Sequence, residues 1–301
     1  MDDAAGLSDS TAGVPSFAAV VRAAREPVTV RALLAALCVA LLASAFGATS
    51  AEAARTPESK ILGGRLDTRT DNRWIGALLT RGNGSRYDRQ FCGGSLVTRR
   101  LFLTAAHCVV TNGRRRSASS LQVLLGSKSL TSGGQVLNVT SVSVQPNYDV
   151  TPNYADMALL RLSGDSRYAP VKLAPTNAAY VGSAGYIAGW GDRLPVTSTD
   201  SDYPTRLYSA SIPIREDAAC SARDPEYNGN VMLCAGYFGG RPDTCSGDSG
   251  GPLAVRRSGV WRLVGVTSYG NPGCGSVGTY GVYAWVGSAV LRSWLRARVG
   301  Y

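Results

Sequence analysis

Beyond Lys60, Gly, Pro, Asn, Asp and Ser interrupt the chain every few residues, and the apolar or alternating runs between them stay short. Segments of that length, bounded by turn residues, are read as β-strands, so the pattern points to an all-β architecture. The expected strands include Trp74–Thr80, Leu121–Leu125, Gln135–Val144, Met157–Leu162, Leu207–Ile214, Trp261–Tyr269 and Thr279–Trp285. One stretch differs. In Val286–Val299, the apolar residues Val290, Leu291, Trp294 and Leu295 alternate with Arg292, Arg296 and Arg298 at helical spacing, which predicts a terminal amphipathic helix. Ser163–Asn177 contains Pro170 and Pro175 and reads as a loop joining two β halves.

The segment before Lys60 has another character. Residues 32–46 are apolar, Arg22, Arg25 and Arg31 precede them, and Ala51-Glu52-Ala53 follows in an A-x-A arrangement. These are the parts of a secretory signal peptide with a long n-region, and the run is short for a membrane span. We therefore expect a signal peptide over 1–53 and a secreted, extracellular product; an uncleaved anchor is the alternative. Of seven cysteines, Cys38 falls inside this segment, leaving Cys92, Cys108, Cys220, Cys234, Cys245 and Cys274. An even number in an exported chain suggests disulfides, although spacing alone leaves fifteen connectivities open.

The net charge is +10. Five basic and six acidic residues precede Ile61, so the 26 basic and 15 acidic residues that remain give the rest of the chain +11. Such an excess suits acidic partners or is simply a solvated basic surface. The densest run, Arg114-Arg115-Arg116, has no interleaved aromatics and reads as an exposed loop, not a nucleic-acid site.

The only histidine, His107, lies in Leu103-Thr104-Ala105-Ala106-His107-Cys108. Asp156 opens an apolar run in Asn153-Tyr154-Ala155-Asp156-Met157-Ala158, where a buried carboxylate needs hydrogen-bond donors. Ser249 sits between glycines in Gly247-Asp248-Ser249-Gly250-Gly251-Pro252, a segment suited to a tight turn with the hydroxyl exposed.

These three motifs, in the order His, Asp, Ser and with cysteines in matching places, resemble the trypsin and chymotrypsin family from about Ile61 to the C-terminus. The resemblance implies two six-stranded antiparallel Greek-key β-barrels with a C-terminal α-helix, the chymotrypsin-like fold. The barrels would span about 61–170 and about 171–285, with the helix at 286–299 and the protease domain at 61–301. It implies Ser249 as nucleophile, His107 as general base and acid, Asp156 as the group that orients the imidazole, and the N–H groups of Gly247 and Ser249 as oxyanion hole. Asp243, six residues before Ser249, matches the carboxylate at the base of a pocket for arginine or lysine. Ser268, Tyr269, Gly270 and Gly281 match the pocket walls.

The same resemblance implies disulfides Cys92–Cys108, Cys220–Cys234 and Cys245–Cys274, and reads Trp190 as structural. Lys60-Ile61-Leu62-Gly63-Gly64 resembles a zymogen junction. A cut after Lys60 would remove a short propeptide, 54–60, and let the new Ile61 amine pair with Asp248. The implied activity is serine endopeptidase cleavage after Arg or Lys through an acyl-enzyme. Protein or peptide substrates are the partners, and protein inhibitors a further class. A monomer is expected, with no nucleic acid and, after processing, no membrane. No cofactor or metal is expected. One histidine and six disulfide-ready cysteines leave few zinc ligands. No acidic residue lies between Val109 and Tyr148, where some animal relatives hold calcium. Leu62 and Tyr269 depart from the more usual valine and tryptophan. A partner-binding relative without catalysis is the alternative; such relatives usually lose one of the three residues.

Overall fold

The computed structural model describes residues 61–195 and 197–300; the expected leader and propeptide lie outside the described residues. In chain order the first strands are β1 (Arg65–Leu66), β2 (Ile75–Thr80), β3 (Gln90–Thr98) and β4 (Leu101–Thr104). Strands β5 (Val110–Thr111) and β6 (Arg114–Arg115) form a small hairpin that carries two arginines of the basic run. After it come β7 (Leu121–Leu125), β8 (Gln135–Val144) and β9 (Ala158–Leu162). Six of these strands close into a barrel in the order β2-β3-β4-β9-β8-β7. Closure removes unpaired sheet edges. Leu78, Leu96, Phe102, Leu103, Leu121 and Leu124 on its strands are all buried. A Cβ at Gly76 or Gly94 would stand 2.7 or 2.4 Å from the Phe102 ring, so both strands carry glycine where that ring fills the barrel.

The second half holds β10 (Lys172–Leu173), β11 (Ala184–Gly189), β12 (Tyr208–Pro213), β13 (Met232–Ala235), β14 (Pro252–Arg257), β15 (Val260–Gly270) and β16 (Gly281–Trp285). Their sheet runs β12-β11-β14-β15-β16-β13. A bridge between Ile214 and Ala235 returns β13 to the end of β12, backed by Gly236 N donating to Pro213 O at 3.0 Å. Both rings therefore follow one scheme, in which the first three strands run in sequence and the last three return in reverse. The β14–β15 hairpin turns on Ser258 (φ +48°) and Gly259 (φ +76°). This two-residue turn with both φ positive matches the right-handed twist of the strands it joins.

Three segments differ from the sequence expectation. Within the stretch read as a loop, β10 pairs in parallel with β15, and Val171 N donates to Leu96 O at 2.9 Å. The connection thus finds its backbone partners on both halves. Strand β1, although first in the chain, pairs with β12 of the second half. Short helices α1 (Arg86–Arg89) and α2 (Asp217–Ser221) precede the terminal α3 (Ala289–Val299). Helix α3 starts three residues later than expected. Val286 N is still bound to Val264 O, and the Ser288 hydroxyl caps Leu291 N. Cys92–Cys108, Cys220–Cys234 and Cys245–Cys274 are bonded; each bridge contributes on the order of 2–4 kcal/mol.

A buried polar network ties the start of the described chain to both barrels. The Asp67 carboxylate, fully buried, accepts from Lys128 of the β7–β8 loop, from Tyr186 of β11 and from Asn72 Nδ2 at 3.2 Å. Lys128 Nζ also donates to Asn72 Oδ1 at 3.0 Å, so a lysine cation anchors the loop that carries no carboxylate. Burial alone would raise the Asp67 pKa, but Lys128, Tyr186 and Ser209 together hold it below 3.8. A lowered carboxylate pKa stabilises the fold above the ordinary value, and that contribution disappears as pH falls through the folded value. Asp67→Ala should cost about 2–4 kcal/mol in urea unfolding at pH 7 with disulfides intact, the lower end reflecting solvent around Lys128. The gap between wild type and variant should close as the measurement is repeated at pH below about 4.

Candidate active site

His107 follows β4, and Asp156 lies two residues before β9, the strand paired with β4. Barrel pairing therefore brings together residues 49 positions apart. The chain turns sharply into β9: Ala155, buried, holds φ +55° two residues after Asn153 at φ +60°. That left-handed geometry is uncommon for a residue with a Cβ and is held by its surroundings. It sets the Asp156 side chain inward, with no solvent exposure.

Three donors meet this carboxylate. The His107 backbone N–H reaches Oδ1 at 2.9 Å, His107 Nδ1 reaches Oδ2 at 2.7 Å, and Ser268 Oγ donates to Oδ2 at 2.6 Å. The arrangement leaves Nε2 as the free end of the ring. Burial would lower the His107 pKa, but the charge of Asp156 and its hydrogen bond outweigh that and raise it above 6.5. A neighbouring carboxylate favours the imidazolium.

Ser249 lies on a turn between Gly247 (φ +91°) and Gly250 (φ +80°). The turn is pinned to the first barrel. Gly93 N donates to Ser249 O at 2.7 Å, and Gln90 Nε2 donates to Gly247 O at 2.9 Å. A Cβ on Gly250 would stand 2.2 Å from Thr104 Oγ1, so only glycine permits this approach. Cys108 Sγ lies 3.8 Å from His107 Nε2 and 3.6 Å from the Ser249 backbone oxygen, so the serine turn comes close to the Nε2 side of the ring. Among the described residues, no hydrogen bond yet joins Ser249 Oγ to Nε2. Such bonds are often long before substrate binds. Cys92, His107 and Cys108 offer ligand atoms within 4.8 Å of one another, but the two sulfurs are bonded to each other.

Asp248 is fully buried, and its carboxylate accepts from Gly191 N at 2.8 Å and Cys245 N at 3.0 Å. Burial pushes its pKa up to about 7 despite those two amides. Ile61 is likewise buried. Asp243 is buried too and accepts from Thr244 N at 2.8 Å and Gly275 N at 3.0 Å; burial raises its pKa to about 6. A Cβ at Gly281 would sit 2.9 Å from Asp243 Oδ1, so the glycine keeps that carboxylate approachable. Gly270 pairs with Gly281 across β15 and β16.

Two of the residues assigned to the pocket walls turn their side chains elsewhere. Ser268 points to Asp156, as above, and the Tyr269 hydroxyl donates to Asp224 Oδ2 at 2.9 Å. Sequence reading missed Gln90 and Asp224. Neither stands in a motif, and each gains its place only through the packing of a distant strand or loop.

Comparison with known proteins gives a consistent picture. The Trypsin family model matches residues 61–295. A trypsin of Saccharopolyspora erythraea is 37% identical over 236 residues, covering 76% of this chain and 94% of the relative. Trypsin 5G1 of Aedes aegypti is 38% identical over 217 residues, 68% of this chain and 74% of the relative. Human kallikrein-14 is 35% identical over 245 residues, 79% of this chain and 84% of the relative.

Because the chain has one histidine, its imidazole can be titrated by NMR without assignment. The midpoint should lie above 6.5, and Asp156→Asn should move it to lower pH as the carboxylate's charge is lost. A midpoint unmoved by that substitution would contradict the pairing.

Proposed function

The chain belongs to the trypsin family, and from that membership we propose that its mature form, starting at Ile61, cuts protein and peptide chains after arginine or lysine. It is a serine-type endopeptidase; the finer reading concerns its residues, specificity, activation and export. The observation that carries the catalytic assignment is the triply held Asp156 carboxylate, with His107 Nδ1 at 2.7 Å and Ser249 beside the far end of the ring.

Ser249 Oγ attacks the scissile carbonyl carbon while His107 Nε2 takes the hydroxyl proton. Asp156 keeps Nδ1 protonated and stabilises the imidazolium. The carbonyl oxygen becomes an oxyanion that accepts from the N–H groups of Gly247 and Ser249. Gln90, holding Gly247 O, fixes the orientation of the neighbouring peptide. The tetrahedral intermediate expels the amine, which receives the proton from His107. Water, deprotonated by the same ring, attacks the acyl carbon, and His107 gives that proton to Ser249 Oγ as the acyl group leaves. Activity requires neutral His107, so it rises with pH through that group's raised pKa.

Asp243 supplies the specificity. It is a buried carboxylate whose hydrogen-bond partners are backbone amides, with Gly281 leaving room beside it. A guanidinium or ammonium entering there restores the charge that burial disfavours. Asp248 has the same need on the other side of the serine turn. Cleavage after Lys60 supplies it through the Ile61 amine, which makes the exported chain a zymogen. The leader over 1–53 directs it out of the cell.

With the chain starting at Ile61, arginine and lysine amides should be hydrolysed and phenylalanine amides spared, and a serine-directed phosphonate should label Ser249 and abolish turnover. Asp243→Ser should lower kcat/KM for arginine substrates by about 10²–10³ while leaving phosphonate labelling measurable. Turnover of phenylalanine amides alone would overturn the Asp243 assignment. Asp248→Asn should leave the chain cut after Lys60 at least about a hundredfold less active, because the buried amine then lacks its counter-charge. Full activity of that variant would overturn the activation reading.

A further inference from the structure

The basic run Arg114-Arg115-Arg116 plays no part in the activity proposed above, yet the fold hangs it beside the candidate site. The β5–β6 hairpin begins two residues after Cys108 and turns on Asn112 (φ +52°) and Gly113 (φ +71°). A two-residue turn with both φ positive fixes the twist of the hairpin. Arg116 N donates to Val109 O at 2.8 Å, and Val109 N and Val110 N both donate to Ala106 O at 2.9 Å. The position of Arg116 is therefore set by the segment that carries His107.

The three arginines go to different places. Arg114 is exposed at the turn, and Arg115 Nη1 donates to Val142 O at 3.4 Å, toward β8. Arg116 is half-buried and lays its guanidinium over the Phe91 ring, with the guanidinium carbon 4.7 Å from the centroid. Strand β3 carries one residue more than β2 between the pairs Leu79–Gln90 and Leu78–Cys92, and that residue is Phe91. A bulge of this kind re-aims a side chain. A guanidinium stacked on a ring keeps its N–H edge open to a carboxylate. No acidic residue lies between Val109 and Tyr148 to occupy that edge, and among the described residues no carboxylate forms an ion pair with Arg116.

Phe91 adjoins Cys92, and the bridge from Cys92 to Cys108 leads to the reacting groups, with Cys108 Sγ 3.8 Å from His107 Nε2. In the proposed reaction Nε2 delivers its proton to the leaving amine, so the residue after the cut starts at the Cys108 end of the bridge. Phe91 and the guanidinium on it stand at the Cys92 end. The two cysteine Cα atoms are 6.3 Å apart. Two extended residues span about 7 Å, enough to pass from one end to the other.

We infer that Arg116 is a specificity-determining residue of the leaving side, selecting substrates with aspartate or glutamate within the two residues that follow the cut. The inference rests on the peptidase reading and adds a second charge rule to it. An acidic side chain there meets the open edge of the guanidinium in a charge-assisted pair, whereas a basic one meets like charge. Sites in which a basic residue is followed by an acidic one are thus the ones this surface fits.

The test uses the mature protein and internally quenched peptides with a single arginine before the cut and Glu or Lys at the first or the second position after it. Rates are expressed per site titrated with the serine-directed phosphonate, so that misfolded protein does not count. Wild type should show kcat/KM about tenfold higher for the better Glu peptide than for its Lys counterpart, and the gap should narrow as salt rises. Arg116→Glu should reverse the order and Arg116→Gln should level it, whereas Arg114→Glu, with the same charge change at the exposed turn, should keep it. Equal Glu and Lys rates at both positions in wild type, the wild-type order retained in both Arg116 variants, or an equal effect of Arg114→Glu would overturn the inference. An arginine amide has no residue after the cut. Its hydrolysis alongside equal Glu and Lys peptide rates overturns this inference alone, whereas absence of both amide turnover and labelling overturns the peptidase reading with it.

Discussion

The site is organised around one carboxylate that has no access to water. Asp156 is tolerable in the interior only because donors from three places converge on it: the His107 backbone, the His107 ring and the Ser268 hydroxyl. Satisfying that charge fixes the ring in one orientation and leaves Nε2 turned toward the serine. The same charge keeps the imidazole basic even though burial opposes protonation. One desolvated group thus sets geometry and proton affinity together.

The serine turn shows a similar economy across the two halves of the molecule. It belongs to the second barrel, where Gly250 N donates to Thr267 O, yet the first barrel also pins it through Gly93, Gln90 and Thr104. Glycine at 250 is required by that contact, and the positive φ at 247 and 250 exposes the residue between them. Around this turn stand two further carboxylates, Asp243 and Asp248, both pushed toward neutrality by burial. The second half therefore holds two buried carboxylates that accept from backbone amides: Gly191 and Cys245 for Asp248, Thr244 and Gly275 for Asp243.

Much of this was legible in the sequence, for reasons that can be named. Strands such as Leu121–Leu125 and Gln135–Val144 were readable to the residue because turn formers bound them on both sides. His107, Asp156 and Ser249 stood out because each sits in a short motif whose residues are needed locally. The disulfide pairing was not in the spacing; only the resemblance implied it. Features that depend on long-range pairing escaped. Strand β1 lies with the second barrel, β10 forms inside an apparent loop, and Lys128 neutralises Asp67 from 61 residues away. The side chains of Ser268 and Tyr269 illustrate the same limit: the sequence located their backbone on β15 but not which way each pointed.

The connection at 163–177 has a consequence for how this molecule can be divided. Each ring closes on its own strands, so each half resembles an autonomous unit. Yet the imidazole and the carboxylate reside in one ring and the hydroxyl in the other, and the contacts that aim the hydroxyl cross between them. Severing the chain at the connection would therefore part the hydroxyl from the imidazole, while β1 and β10 would still pair with strands of the second ring.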